Sequence, residues 1–248
     1  MFAIVVAAAA LAGWVDAVIG GGGLILIPVL MAATSMPPAA ILATNKLAAV
    51  SGTASAAVTL VRRMGVPRHT WFYALIAGAQ SAAGALAASL IDASLLRPTI
   101  LVLLIAVGVF VAVKPEFGTL EADLPPKLTR GRVLAAAGLV AVIGFYDGTF
   151  GPGTGMFLIM GFTALFAQNF VRSAAMAKVV NTATNVGALV VFISAGLVDW
   201  PLALALAAAN VVGAQIGART VLGGGAKLVR YALLTLVVVL STYLAFQL

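Results

Sequence analysis

The feature that most constrains this chain is a series of apolar runs, each roughly 20 residues long, the length that an α-helix needs to cross a bilayer core of about 30 Å. Of the 248 residues, 63% are hydrophobic and 8% are charged, whereas an ordinary soluble domain has about 25% charged residues. The short alternating segments typical of a transmembrane β-barrel do not occur in this sequence. The sequence therefore predicts an all-α polytopic membrane protein.

Charge and composition exclude several functions. The formal net charge is +7, but the basic residues lie in short loops, as membrane topology requires, so nucleic acid is not an expected partner. The chain has no cysteine, which excludes disulfides and thiolate metal sites. The single histidine, His69, is expected to be a solvated loop residue. No metal site and no other cofactor is predicted.

The chain contains two copies of one unit. The stretch GWVDAVIGGGGLILI (13–27) matches GFYDGTFGPGTGMFLI (144–159), and ATNKLAAVSGTAS (43–55) matches AMAKVVNTATNVG (175–187). A match that keeps the same offset over such distances indicates an internal duplication. Because the first copy begins inside the N-terminal apolar segment, this segment is expected to belong to the mature fold and not to a signal peptide.

Each half of the sequence divides into five apolar segments. The second segment of each half has about 14 residues, which as a helix would be about 21 Å long, and the sequence leaves open whether it crosses the membrane completely. Short, glycine-interrupted segments at matching positions of two repeats are typical of a transporter binding site. The segments cover 1–19, 23–36, 39–61, 70–91 and 95–113, then 132–150, 154–168, 171–195, 200–220 and 228–248.

The charges of the loops indicate how the repeats cross the membrane. If all segments cross, the basic loop residues share one side and only Arg97 lies opposite. The positive-inside rule then favours an odd number of crossings per half, with both termini outside the cytoplasm. Two odd repeats joined in series run in opposite directions, so we predict two inverted-topology repeats. The predicted units are residues 1–113 and 131–248, joined by a cytoplasmic linker over 114–130.

Four charged residues lie well inside apolar segments, at matching positions of the two repeats: Asp16, Lys46, Asp147 and Lys178. Charged groups at membrane depth usually pair or line a polar cavity. In the functional interpretation, the two lysines face each other near the midplane and attract an anion, and the aspartates are ion-pair partners or proton carriers. In the structural interpretation, Asp16 pairs with Lys46 and Asp147 with Lys178 to hold helices together. The glycine break beside each pair favours the functional interpretation.

The glycine breaks and nearby polar side chains complete the predicted site. A helix that restarts after glycines presents unpaired N–H groups and the positive end of its dipole, which favour an anion. Hydroxyl and amide side chains can bind an oxyanion, but in membrane helices they often join helices, and this packing role is favoured for Ser55 and Thr59. The predicted substrate-binding residues are Lys46, Lys178, Asn45, Thr44, Gly21, Gly22, Gly23, Gly153, Thr154, Gly155, Asn181 and Asn185.

At these residues the sequence resembles the TauE/SafE family of sulfite-exporter-like membrane proteins. The resemblance covers nearly the whole chain and rests on GGGGLILIP (20–28), ATNKL (43–47), GFYDGTFGPGTG (144–155) and AMAKVVN (175–181). It implies a multi-pass protein of the bacterial inner membrane that moves sulfite, organosulfonates or related sulfur-containing or carboxylate anions. The chain resembles a branch without an assigned substrate, so neither the compound nor the direction of transport carries over.

The leading functional hypothesis is a secondary active transporter of a small anion that works by alternating access, with Asp16 or Asp147 as candidate proton carriers. No G-x-x-x-x-G-K-[ST] motif points to ATP. A passive anion channel is the alternative, and an intramembrane enzyme is disfavoured because the usual nucleophile–base pairs are missing. The expected partners are a small anionic substrate and membrane lipid, and a homodimer stays open.

Overall fold

The computed structural model describes the backbone of residues 1–113 and 129–245, and the side chains of residues 1–107, 109, 110 and 129–223. All regular elements in these ranges are α-helices. The helices are α1 Phe2–Ile19, α2 Gly23–Ala33, α3 Pro38–Met64, α4 His69–Leu90, α5 Ala93–Val113, α6 Arg130–Thr149, α7 Thr154–Phe166, α8 Phe170–Ser194 and α9 Trp200–Ala245.

The lengths and hydropathy of the helices confirm a multi-pass membrane protein. Within the described residues, five helices are long and apolar enough to cross a membrane. They have at least 18 residues, which at 1.5 Å per residue gives about 27 Å or more. The five spans are Phe2–Ile19, His69–Leu90, Arg130–Thr149, Phe170–Ser194 and Trp200–Gly223.

The predicted short segments form short helices, and glycines separate each of them from the long helix before it. Gly20 ends α1 in the left-handed region, with φ of 83°, and the 11-residue α2 begins three residues later. In the second half, Gly153 has φ of 78° and precedes the 13-residue α7. Glycine adopts positive φ without the steric cost that a Cβ would bring, so both chain reversals occur at glycines.

The two halves repeat the same helix packing. α1 packs along α9, and the matching helix α6 of the second half packs along α4. Small residues permit both contacts: a Cβ at Gly213 would overlap the backbone carbonyl of Ala10, and a Cβ at Gly148 would overlap that of Ser81. The small-residue patterns of α4 and α9 therefore serve close helix packing.

The helices that carry the buried lysines, α3 and α8, lie against each other in opposite directions. Near the start of α3, the Thr44 hydroxyl accepts a hydrogen bond of 3.3 Å from the N–H of Asp199, which follows the end of α8. Towards the end of α3, Val61 shares a surface groove with Val179, from the first half of α8. This antiparallel pair brings the two lysine-bearing segments together.

The predicted boundary between the last two segments, 200–220 and 228–248, is not present. α9 runs without interruption from Trp200 to Ala245, and residues 246–248 lie outside the described residues. Three glycines lie between the two predicted segments, at 223–225, but each lowers helix stability by only about 1 kcal/mol. No proline accompanies them to block the backbone hydrogen bonds.

Two further expectations concern loops. Residues 114–128 of the predicted linker lie outside the described residues, and Arg130, its last residue, already belongs to α6. The expectation for His69 is wrong: it is the first residue of α4, and its ring lies 5.4 Å from that of Tyr73 and 5.5 Å from that of Phe166. His69 is therefore a partly buried helix residue, and Phe166, one of its two aromatic neighbours, comes from a distant part of the sequence.

Candidate anion site at the helix breaks

The four buried charged residues form two ion pairs, and both pairs join one half of the chain to the other. Lys46 Nζ lies 2.6 Å from Asp147 Oδ2, and Lys178 Nζ lies 2.8 Å from Asp16 Oδ2. The structural interpretation with pairs inside each half is therefore wrong about the partners. The ion pairs cross between the halves because α3 lies next to α8 in the middle of the molecule.

The pair between Lys46 and Asp147 is enclosed and makes further hydrogen bonds with neighbouring side chains. The side chains are 3% and 2% exposed. Lys46 Nζ also donates to Asn185 Oδ1 at 3.2 Å, and the Ser81 hydroxyl donates to Asp147 Oδ2 at 3.3 Å. A buried ion pair persists in a low-dielectric interior only when additional hydrogen bonds replace the lost water, and Asn185 and Ser81 supply them here.

The pair between Lys178 and Asp16 is more open on its acidic side. Lys178 is fully buried, whereas the Asp16 side chain is 15% exposed. Lys178 Nζ also donates to the backbone carbonyl of Asp16, and the N–H of Gly22 donates to Asp16 Oδ1 at 3.3 Å. Asp16 therefore connects Lys178 to the first turn of α2.

The two glycine breaks touch each other. The N–H of Met156, in the first turn of α7, donates to the carbonyl of Gly20 at 3.2 Å. A Cβ at Gly20 would overlap the backbone of Gly155, so this approach requires glycine. Among the described residues, no acceptor receives the N–H of Gly23 or that of Gly155. Two helix N-termini thus meet with unpaired donors, an arrangement that favours an anion.

A small, predominantly polar cavity lies between the breaks, with a volume of about 20 Å³, which is room for about one water molecule. Both halves of the chain contribute to its wall. The lining residues are Asp16, Gly20, Gly23, Asn45, Lys46, Ala49, Asp147, Gly151, Gly153, Thr154, Gly155, Asn181 and Asn185.

The structure brings most of the residues predicted to bind substrate to this cavity, but not all of them. Lys178 lies behind Asp16 and does not line the wall. Thr44 is held by its bond to the chain after α8. Gly21 and Gly22 accept backbone hydrogen bonds from the first turn of α2 and also lie outside the lining.

Sequence reasoning missed Ser81, which binds a site carboxylate. It stands in a small-residue stretch of α4 whose pattern indicated helix packing, and its hydroxyl was the only signal of a polar role. Gly20, Gly151 and Ala49 also line the cavity. For the glycines, the signal was available, because both belong to the duplicated break.

Ser55 and Thr59 serve helix packing, as expected. Gln215 on α9 donates to the hydroxyl and the carbonyl of Ser55, at 2.8 and 2.9 Å, and accepts from Thr59 at 3.2 Å. These bonds join α3 to α9 away from the cavity. Tyr146 has a local role, since its hydroxyl donates to the carbonyl of Pro152 at 2.8 Å and braces the second break.

The fold and the site together define a multi-pass helical membrane protein with a buried charged cavity at two helix breaks. The sequence profile described as "Sulfite exporter TauE/SafE" matches residues 5–244. The chain therefore belongs to the TauE/SafE family of membrane transporters.

Similar proteins carry names that agree with this assignment. The chain is 36% identical to "Probable membrane transporter protein ORF9" of Sinorhizobium sp. over 249 residues, which covers 100% of this chain and 92% of that protein. It is 35% identical to "Probable membrane transporter protein YfcA" of Escherichia coli over 240 residues, covering 96% of this chain and 87% of that protein. A "Probable membrane transporter protein" of Haemophilus influenzae is 34% identical over 190 residues, covering 76% and 73%. No solved structure matches the chain.

Proposed function

We propose that this protein is a secondary active transporter that carries a small anion across the bacterial inner membrane by alternating access. The observation that carries the proposal is that two ion pairs connect the two halves of the chain and lie beside two helix breaks that touch each other. A movement of one half against the other would change both ion pairs and the cavity together. This is the arrangement that an alternating-access carrier requires.

The recognition of an anion rests on positive charge and on unpaired donors. Lys46 supplies an ammonium group to the cavity wall, and the N–H groups of Gly23 and Gly155 have no acceptor within the described part of the chain. The amides of Asn45 and Asn181 lie in the same wall. Charge-assisted hydrogen bonds of this kind suit the oxygen atoms of a sulfite, sulfonate or carboxylate group, and the family description favours sulfite or a related sulfur-containing anion.

The carboxylates restrict how an anion can enter. The cavity wall contains one cation, Lys46, and two carboxylates, Asp16 and Asp147. An incoming anion therefore competes with carboxylates that are already paired with the lysines. Net negative charge is costly in a site of low dielectric. A proton on Asp16, the more exposed carboxylate, would cancel the added charge and free Lys178. The protein would then carry a proton together with each monoanion.

The size of the cavity favours a carrier over the alternative, a passive channel. A volume of about 20 Å³ holds about one water molecule, which is less than a sulfite ion needs. The helix breaks must therefore separate before the substrate binds. An open channel would need a continuous polar path, and the tight contact between Gly20 and Gly155 blocks this one.

An inverted-repeat topology completes the proposal, with the N-terminus outside the cytoplasm. α3 and α8 occupy matching positions in the two repeats and run in opposite directions, which supports inversion. The basic residues of the loops support the orientation. A chemical role as an enzyme is not part of the proposal, because the relatives are named as transporters.

Anion binding tests the site directly. The melting temperature of purified protein is measured with sulfite, thiosulfate, sulfoacetate or acetate, for wild type, Lys46→Ala and Lys178→Ala, with the exposed Arg97→Ala as the control. A ligand that binds only the native state raises the melting temperature. We expect at least one anion to stabilise wild type and the control but neither lysine variant. Equal stabilisation of all four proteins would place the anion elsewhere.

Counterflow separates the carrier from the channel. Proteoliposomes are loaded with the unlabelled anion identified in the binding experiment, and labelled anion is added outside. A carrier accumulates label transiently through exchange, whereas a channel only equilibrates it. Absence of accumulation in liposomes that conduct the anion would support the channel and contradict the proposed mechanism.

A further inference from the structure

A groove on the outer surface of the helix bundle is larger than the charged cavity and different in chemistry. It lies between α3, α4 and α8 and has a volume of about 370 Å³. Its wall is almost entirely apolar. The lining residues are Ala54, Ala57, Val58, Val61, Arg62, Trp71, Val179 and Thr182.

The groove has an apolar body and one basic end. Ala54 and Arg62 are two turns apart on α3, about 12 Å along the helix axis. Arg62 lies in the last turn of α3, and the two ion pairs found among the described side chains do not involve it. The groove therefore combines an apolar channel wide enough for a hydrocarbon chain with a cation that has no carboxylate partner among the described side chains.

Exposed apolar side chains show that the groove faces outward from the bundle. Val58 is 48% exposed and Trp71 is 56% exposed. In a protein that crosses a membrane, such a surface meets lipid chains. Tryptophan is enriched where the membrane core meets the headgroups, so Trp71 places the end of the groove that contains Arg62 at headgroup level.

We propose that this groove binds an anionic phospholipid. One acyl chain lies along Ala57, Val58 and Val179, and the phosphate accepts hydrogen bonds from the Arg62 guanidinium. In the topology proposed above, this end faces the cytoplasm, where anionic lipids attract basic residues beside membrane helices.

The second repeat provides an internal comparison. Arg62 follows Lys46 by sixteen residues, and Ser194 follows Lys178 by the same number. Both repeats then begin the next helix near a tryptophan, Trp71 or Trp200. Both repeats therefore have a tryptophan at this position, but only the first repeat has a cation that could bind a phosphate.

The groove also lies directly behind the charged site. Val179 and Thr182 belong to the same part of α8 as Lys178, and the Thr182 hydroxyl donates to the carbonyl of Lys178 at 2.7 Å. A lipid in the groove contacts α3 and α8 together, the two helices that carry the ion pairs. Its binding would therefore stabilise one relative position of these helices.

Thermal unfolding in detergent tests this proposal. Wild type, R62Q, R62K and R97Q are compared with phosphatidylglycerol and with phosphatidylcholine of identical acyl chains. We expect phosphatidylglycerol to raise the melting temperature of wild type and R97Q more than phosphatidylcholine does. In R62Q the two lipids should raise the melting temperature equally, whereas R62K should keep most of the larger effect of phosphatidylglycerol. V58W, which fills the groove without changing charge, loses the response to both lipids.

Three results would overturn the proposal. R62Q could retain the full difference between the two lipids, or inorganic phosphate alone could stabilise wild type as phosphatidylglycerol does. V58W could also convert a dimer to a monomer while its response to lipid stays unchanged, in which case a second copy of the chain occupies the groove. Anion binding at Lys46 is measured separately, so these outcomes do not depend on the identity of the transported anion.

Discussion

The two ion pairs have the same composition and matching positions, yet their environments differ. Lys46 and Asp147 are both nearly inaccessible, and Asn185 and Ser81 hold them in place. In the other pair, Lys178 is inaccessible but the carboxylate of Asp16 is 15% exposed. The comparison indicates that the pair of Lys46 and Asp147 is the more tightly held of the two, and that Asp16 is the carboxylate more accessible to a proton.

The largest expected effect comes from breaking the enclosed pair. Lys46→Ala leaves the carboxylate of Asp147 buried without a countercharge, which costs about 3–5 kcal/mol in a protein interior. We expect a large fall in the free energy of unfolding, measured by denaturant titration in detergent micelles. Arg97→Ala, which removes an exposed cation, should leave the unfolding curve nearly unchanged. A loss as small as that of Arg97→Ala would mean that Asp147 is solvated or protonated.

A smaller loss is expected for Lys178→Ala. Asp16 is partly exposed and keeps the N–H of Gly22 as a donor, so the variant loses hydrogen bonds to a charged group but not all solvation. Such bonds contribute about 1.5–3 kcal/mol. The same denaturant titration shows which of the two variants loses more free energy of unfolding. If Lys178→Ala is more destabilising than Lys46→Ala, the pair of Lys46 and Asp147 is not the more tightly held of the two.

Replacement of the carboxylates should separate function from stability. Asp16→Asn keeps the shape of the side chain but cannot accept a proton, so we expect a folded protein whose anion uptake no longer responds to a pH gradient. Asp147→Asn should retain this response if the protein folds. The pH response of both variants is measured as anion uptake into proteoliposomes at a fixed anion gradient, with and without a pH gradient. A response that survives in Asp16→Asn but not in Asp147→Asn would reverse the assignment.

The smallest expected effect concerns Ser81. Ser81→Ala removes one hydrogen bond to Asp147, which at 3.3 Å is long, so it should cost about 1.5 kcal/mol, the lower end for bonds to charged groups, and leave anion binding intact. Ser89→Ala is the matched control, because Ser89 lies on the same helix and its exposed hydroxyl donates to the carbonyl of Leu86. The melting temperatures of the two variants provide the measurement. Identical values would show that Ser81 contributes nothing to the pair.

Much of the fold was predictable because its signals are local. Apolar runs gave the long helices, and glycines at both copies of the duplicated motif marked the starts of α2 and α7. The glycines at 223–225 gave a similar signal but lie within α9. The difference lies in tertiary context. Gly20 and Gly153 adopt positive φ, and Gly20 packs against the backbone of Gly155, which a sequence motif alone does not show.

The site was only partly predictable for a related reason. The unusual depth of four charges identified the residues, because charge in an apolar segment is costly wherever it occurs. Their pairing was not encoded locally, since Lys46 and Asp147 are 101 positions apart. The antiparallel approach of α3 and α8 decides which carboxylate each lysine meets. Ser81 was missed for the same reason, because only packing against α6 gives its hydroxyl a charged partner.

A double-mutant cycle tests the crossed ion pairs most directly. The free energy of unfolding is measured for wild type, Lys46→Ala, Asp147→Ala and the double variant, and in parallel for Lys46→Ala with Asp16→Ala. Residues in direct contact show coupling energies of about 0.5–3 kcal/mol. We predict clear coupling between Lys46 and Asp147 and a much smaller value between Lys46 and Asp16. Stronger coupling between Lys46 and Asp16 would show that the pairs form inside each repeat and would contradict the account.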